Sequence, residues 1–269
     1  MERNLVEIRN LQKVYGRKSK FSVFPSNEVA AVKDVSFSIK KGETFGLIGS
    51  SGSGKTTVGR LLLRLIEPTN GDILYKGKSL LELNKKGMDA MRNQMQIVFQ
   101  DSGSAFNPRK TIGEQIAHPL IKFGGYSDQH DLKRKVYEML DVVGLRKDFA
   151  GRYPHELSGG QRQRAGIARA LILKPEFLVL DEPVSALDVS VKAQIINLLQ
   201  DLQKEFGLTY LFIAHNLDLV AYFCDRVGVM SKGEMVETGS TIDIFRNPQQ
   251  EITKSLLDSI LTVRVQKGG

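Results

Sequence analysis

The sequence predicts an α/β fold, and three observations predict it. Thr44-Phe45-Gly46-Leu47-Ile48, Phe177-Leu178-Val179-Leu180 and Tyr210-Leu211-Phe212-Ile213-Ala214 are short, near-continuous apolar runs, the pattern of strands in a sheet covered on both faces. Longer stretches with a helical period lie between these runs. Ahead of them, Val6 to Tyr15 and Val32 to Ile39 alternate like antiparallel strands, joined by a polar, basic turn region from Gly16 to Asn27.

The stretch from Val191 puts Val191, Ile195, Leu198, Leu202 and Phe206 on one face of a packing helix, and Gly207 supplies a stop suited to left-handed backbone. From about Asp101 to Leu157 the spacing is mainly helical and is broken by Pro108, Gly124-Gly125 and Pro154, which marks a helical subdomain inserted into the α/β core. After Gly239 the chain reads as helical and ends in a frayed tail, Gln266-Lys267-Gly268-Gly269. There is no internal repeat and no low-complexity tract.

Length and composition bound the possibilities. A chain of 269 residues, 41% hydrophobic and 25% charged, is long enough for one large domain with an insertion and a short tail. No run approaches the roughly 18–20 apolar residues of a membrane-crossing helix. Met1-Glu2-Arg3-Asn4 leads directly into a strand-like segment, without the basic and apolar regions of a secretory signal, so the cytoplasm is the expected compartment. The single cysteine, Cys224, excludes an internal disulfide and reads as a core thiol. A net charge of +8 suits anionic partners such as nucleotide, lipid headgroups or nucleic acid, and equally suits a merely solvated basic surface, because the cations are scattered.

The chemistry starts at Gly49-Ser50-Ser51-Gly52-Ser53-Gly54-Lys55-Thr56, with Thr57 behind it. This is Gly, four residues, then Gly-Lys-Thr, placed between a strand and a helix. Glycines let successive amides turn inward toward phosphate oxygens, and the helix start adds its positive end. Lys55 is expected to reach the β- and γ-phosphates, and the Thr56 hydroxyl to ligate Mg2+, which prefers hard oxygen donors.

Asp181-Glu182 ends a buried strand, where open α/β sheets present their ligand crevice. Asp181 is placed to hold the metal and Glu182 to polarise a water as general base. His215 also follows a strand and is placed to contact the γ-phosphate; taken alone, a histidine there would be structural.

Leu157-Ser158-Gly159-Gly160-Gln161-Arg162-Gln163-Arg164 resembles the signature motif of ATP-binding-cassette ATPases. It also makes sense as a second phosphate-facing helix start, with a hydroxyl at Ser158 and glycines at Gly159 and Gly160 that permit close approach. The other family motifs follow in order. Gln100 resembles the Q-loop glutamine, Ser185-Ala186-Leu187-Asp188 the D-loop, His215 the switch histidine and Tyr15 the aromatic that stacks on adenine. Ala105-Phe106-Asn107-Pro108-Arg109-Lys110-Thr111-Ile112-Gly113-Glu114 and Pro183 to Gln194 are similar to the peptide and nickel importer group. Asn216 stands where relatives commonly carry Asp.

The resemblance implies a P-loop NTPase (RecA-like) core with an antiparallel β subdomain and a helical subdomain at about 101–160, within a cassette of residues 1–245 and ahead of an extension at 246–269. It implies ATP and Mg2+ as cofactors, with Thr56, Gln100 and Asp181 on the metal. It also implies head-to-tail pairing, so that Ser158, Gly159, Gly160 and Gln161 serve the nucleotide held by another cassette's loop. The expected partners are a second, related cassette, two integral membrane permease subunits and an extracytoplasmic solute-binding protein. The expected place is the cytoplasmic face of the membrane. Phe106 and its neighbours, Gln100 to Arg109, are the expected contact with a membrane subunit. A soluble cassette ATPase outside transport and an exporter cassette are the rival readings. No RNA-binding module is present in the sequence, and nucleic acid is not expected as a partner.

Overall fold

The computed structural model describes residues 4–16, 28–100 and 105–266. The expectations on residues 17–27, on Asp101 and on the tail at 267–269 lie outside the described residues. The chain forms two compact units, one of residues 1–83 and 211–269, the other of residues 84–210.

In the first unit β1 (Asn4–Tyr15) and β2 (Val29–Lys40) pair antiparallel, with Val6, Ile8, Leu11, Val32, Val35 and Ile39 buried as their alternation requires. The strand β3 (Thr44–Gly49) is buried at every position and runs into the loop that opens α1 (Lys55–Leu62). That helix buries Val58, Leu61 and Leu62. Two further strands, β4 (Asn70–Tyr75) and β5 (Lys78–Ser79), extend the antiparallel side, β4 on β1 and β5 on β4.

The second unit contains α2 (Lys85–Arg92), β6 (Met95–Val98), α3 (Ile112–Phe123) and α4 (Gln129–Val142). Two 3-10 turns at Lys147–Gly151 and Pro154–Glu156 lead to α5 (Gly159–Leu171), then β7 (Phe177–Asp181), parallel to β6, and α6 (Val189–Phe206). Helix α3 starts on a capping box, Thr111 with Glu114, and stops at Gly124, where φ is 85°. Asp128 caps α4 by accepting from the Asp131 amide.

Two expectations are corrected here. The buried face of α6 is Ile195, Ile196, Leu199 and Leu202, whereas Val191 and Leu198 are half-buried and Phe206 is exposed. Its apolar surface is wider than one stripe, so packing rather than periodicity chooses the face. Phe106 does not present a contact surface, because it is only 3% exposed. The Arg169 guanidinium lies 4.5 Å from its ring centroid and donates to the Ala105 carbonyl at 2.7 Å. Gln115 fixes the same segment, accepting from the Asn107 amide at 2.7 Å and donating to the carbonyls of Asn107 at 3.0 Å and Lys110 at 2.9 Å.

The strand β8 (Thr209–Ile213) ends one residue before Ala214. The chain then returns through α7 (Leu217–Phe223), β9 (Arg226–Ser231), β10 (Glu234–Ser240), α8 (Thr241–Arg246) and α9 (Glu251–Gln266). Strand β9 lies parallel to β3 and antiparallel to β10, and β10 meets β2, which joins the parallel and antiparallel parts of the first unit. Cys224 is buried, and burial together with Asp225 pushes its thiol well above the usual range, as a core thiol requires. Among the described residues no helix is long and apolar enough to cross a membrane.

Phe106→Asp removes a buried ring and places a carboxylate in its socket. It is expected to lower unfolding stability by at least about 3 kcal/mol. Urea unfolding checks this, and an unchanged midpoint would return Phe106 to the surface.

Candidate functional site

In the first unit the loop from Gly49 to Lys55 is curled by three glycines with positive φ: Gly49 (147°), Gly52 (76°) and Gly54 (104°). Space as well as conformation demands glycine at two of them. A Cβ on Gly49 would lie 2.1 Å from the Met230 carbonyl, and one on Gly54 would lie 2.3 Å from the Ala31 carbonyl. The loop is also tied down at its middle, where the Gly233 amide donates to the Ser53 carbonyl at 3.1 Å.

Gly54 caps α1 with no side-chain hydrogen bond, and the first turn carries no acidic residue, so the helix start is dressed for an anion rather than against one. Lys55 lies back over the loop. Its Nζ donates to the carbonyls of Gly49 and Ser50, both at 2.8 Å, and to Ser53 Oγ at 3.3 Å. Thr56 follows in the first turn, then Thr57.

His215 and Tyr15 belong to this unit too. The Ala214 amide donates to the Leu47 carbonyl at 3.4 Å, so His215, which is exposed, stands one residue beyond a strand end fastened to β3. Asn216 caps α7, accepting from the Leu219 amide at 3.2 Å. The departure from Asp therefore keeps the oxygen that anchors the residue after His215. Tyr15, at the end of β1, is 42% exposed, with Lys13 Nζ 5.1 Å from its ring centroid.

In the second unit Asp181 is 4% exposed at the end of β7, and Glu182 is half-buried beside it. Glu182 holds φ at 47°, a left-handed conformation that costs a side-chain-bearing residue about 1–3 kcal/mol. Ser185 secures it, its amide and its hydroxyl both donating to the Glu182 carbonyl at 3.2 Å. Gln100 Nε2 donates to Glu182 Oε2 at 2.8 Å, so the structure brings together the two residues that the sequence places 82 positions apart.

The signature segment is a closed capping box. Gln161 donates its amide to Ser158 Oγ at 3.3 Å, and the Ser158 amide donates to Gln161 Oε1 at 2.9 Å. Like α1, α5 has no acidic residue in its first turn. Sequence reasoning missed the props of the phosphate loop, Ala31, Met230 and Gly233. Of these only Gly233 carries a signal that could have found it, the turn composition of Ser231-Lys232-Gly233-Glu234.

A strand-loop-helix phosphate cradle of this kind, in an α/β fold, defines a P-loop NTPase. The comparisons narrow the class. Residues 32–185 match the model of the ABC transporter family. The oligopeptide transport ATP-binding protein AppF of Bacillus subtilis (strain 168) is 47% identical over 264 residues, covering 98% of this chain and 80% of the relative. OppF of Streptococcus mutans, another oligopeptide transport ATP-binding protein, is 45% identical over 258 residues, covering 96% and 82%. A solved ATP-binding cassette in a dimeric, post-hydrolysis state with ADP and Pi superposes with a TM-score of 0.77 at 29% identity, covering 88% of this chain and 98% of that one. A part of the cbiONQ ABC transporter complex from Clostridium perfringens gives a TM-score of 0.77 at 27% identity, covering 91% and 92%. The chain belongs to the ABC transporter family, as one of its ATP-binding, ATP-hydrolysing cassettes.

Because Asn216 caps α7, Asn216→Ala is expected to cost about 1 kcal/mol and Asn216→Asp to stay within about 0.5 kcal/mol of the parent. Denaturant titration separates the two. Equal losses would mean that the Asn216 amide group, not its oxygen, matters.

Proposed function

We propose that this chain is the ATP-hydrolysing subunit of an importer, which powers uptake of peptides. The observation that carries the reading is the glycine-curled loop Gly49–Lys55, which leads into a helix start without a side-chain cap in a chain close in sequence to oligopeptide transport ATP-binding proteins. The proposed cassette spans residues 1–245, with the helical part at about 101–160 and an extension at 246–269.

In this reading the loop amides and Lys55 hold the polyphosphate, with Ser50, Ser51, Ser53 and Thr57 along the cradle and Tyr15 against the adenine ring. Lys55 exchanges the carbonyls of Gly49 and Ser50 for phosphate oxygens. A buried carboxylate, an amide oxygen and a hydroxyl are the hard donors that Mg2+ takes, which fits Asp181, Gln100 and Thr56 as its holders. When bound, the ion neutralises phosphate charge. Glu182 accepts a proton from the attacking water, and His215 orients that water against the γ-phosphate. Ser158, Gly159, Gly160 and Gln161 face the ATP of a second, related cassette, so one chain supplies half of each of two sites.

The complex also includes two membrane permease subunits and an extracytoplasmic binding protein, and this chain works at the cytoplasmic face. With Phe106 buried, docking moves to the groove of about 580 Å3 between α3 and α4. Ile121 projects there, 53% exposed, beside His118 and Tyr137.

Glu182→Gln is expected to keep ATP binding while lowering turnover of the assembled transporter by more than about 100-fold. Steady-state phosphate release reads this out, and turnover close to the parent would remove Glu182 from the role of base. Ile121→Asp is expected to abolish co-purification with the membrane subunits without shifting the melting temperature. Intact co-purification would place the contact elsewhere.

A further inference from the structure

The two glycines of the signature segment sit in the first turn of α5, where glycine is a poorer helix former than alanine. Neither has φ in the left-handed range, so backbone conformation does not require glycine at either place. What each would meet differs. A Cβ on Gly159 would lie 3.2 Å from Leu187 Cδ2, the free end of a flexible side chain. A Cβ on Gly160 would lie 2.6 Å from Val191 Cγ1, inside any tolerated contact, and a β-branched side chain in a helix has one strongly preferred rotamer and little room to turn away. Val191 is half-buried in the first turn of α6, which emerges from the turn that Glu182 and Ser185 begin.

We propose that Val191 is a positioning residue for ATP hydrolysis: its Cγ1 methyl seats on Gly160 and sets the height of the α5 start, which carries Ser158 and the helix amides toward nucleotide. The requirement for glycine at position 160 is then met inside this chain, by Val191, and not by the approach of a phosphate. The proposal rests on the reading of Ser158–Gln161 as nucleotide-facing. It deepens that reading by naming the side chain that holds the segment in register. Removal of the methyl lets α5 settle toward α6, and a methyl added on Gly160 lifts it away.

The test uses the transporter assembled with its second cassette and membrane subunits, with phosphate release as readout and ATP affinity of the isolated subunit as control. Gly160→Ala is expected to lower turnover by about 100-fold or more, with ATP affinity of the isolated subunit unchanged. Val191→Ala alone is expected to lower turnover about fivefold. The double variant Gly160→Ala with Val191→Ala is expected to recover to within about threefold of Val191→Ala. A double variant as inactive as Gly160→Ala, with Val191→Ala active, would overturn the role of Val191 and leave the nucleotide as the reason for glycine. Parental turnover in Gly160→Ala would also overturn the proposal, and parental turnover in Ser158→Ala as well would overturn the nucleotide-facing reading on which it rests. Should Gly160→Ala fail to fold, recovery of folding in the double variant supports the contact. Should both fail to fold, Val191→Ala decides, and parental turnover in it would contradict the proposal.

Discussion

The glycine-curled backbone at Gly49–Lys55 is the constraint on which the rest of the first unit depends. Two flanking strands leave the curl no room for side chains: the Met230 carbonyl, in β9, occupies the space a Cβ on Gly49 would need, and the Ala31 carbonyl, in β2, does the same at Gly54. Parallel pairing of β9 with β3, through Gly49 opposite Met230, sets the first of these contacts. The antiparallel subdomain therefore contributes to the phosphate loop through β2. Lys55 completes the arrangement by donating to the carbonyls of Gly49 and Ser50.

The second unit stores its specificity in strain and caps. Glu182 is held in left-handed backbone by Ser185, and its carboxylate is engaged by Gln100, an arrangement that keeps the proposed base in a defined place before substrate arrives. The signature helix begins on a reciprocal Ser158–Gln161 cap, which satisfies amides that would otherwise be free to drift. Both helix starts, α1 and α5, lack acidic residues, and electrostatics make each attractive to a polyphosphate.

Much of this was legible in the sequence. The phosphate loop, the buried strands β3, β7 and β8, the β1–β2 pair and the capped start of α5 carry local signals: glycine spacing, uninterrupted apolar runs, alternation, and Ser three residues before Gln. What was not legible depends on distant partners. Phe106 looks like an exposed loop aromatic until Arg169, 63 residues on, covers it. The face of α6 is ambiguous because Leu198 and Leu199 are both apolar, and only packing buries the second more deeply. Strand β9 was missed although Val227-Gly228-Val229-Met230 is an apolar run; its six residues and internal glycine match β3, so nothing local in the sequence accounts for the miss. The contact of Val191 with Gly160 has no sequence signature, since the two belong to different helices.

The central claim is that Gly49–Thr57 is half of a catalytic site, completed by Ser158–Gln161 of another cassette. ATP hydrolysis per chain, measured against dilution and then against added second cassette, tests it most directly. The account predicts that the rate per chain falls toward zero on dilution while ATP binding persists, and that it rises to saturation as the second cassette is titrated in. A rate per chain that is independent of both would contradict it.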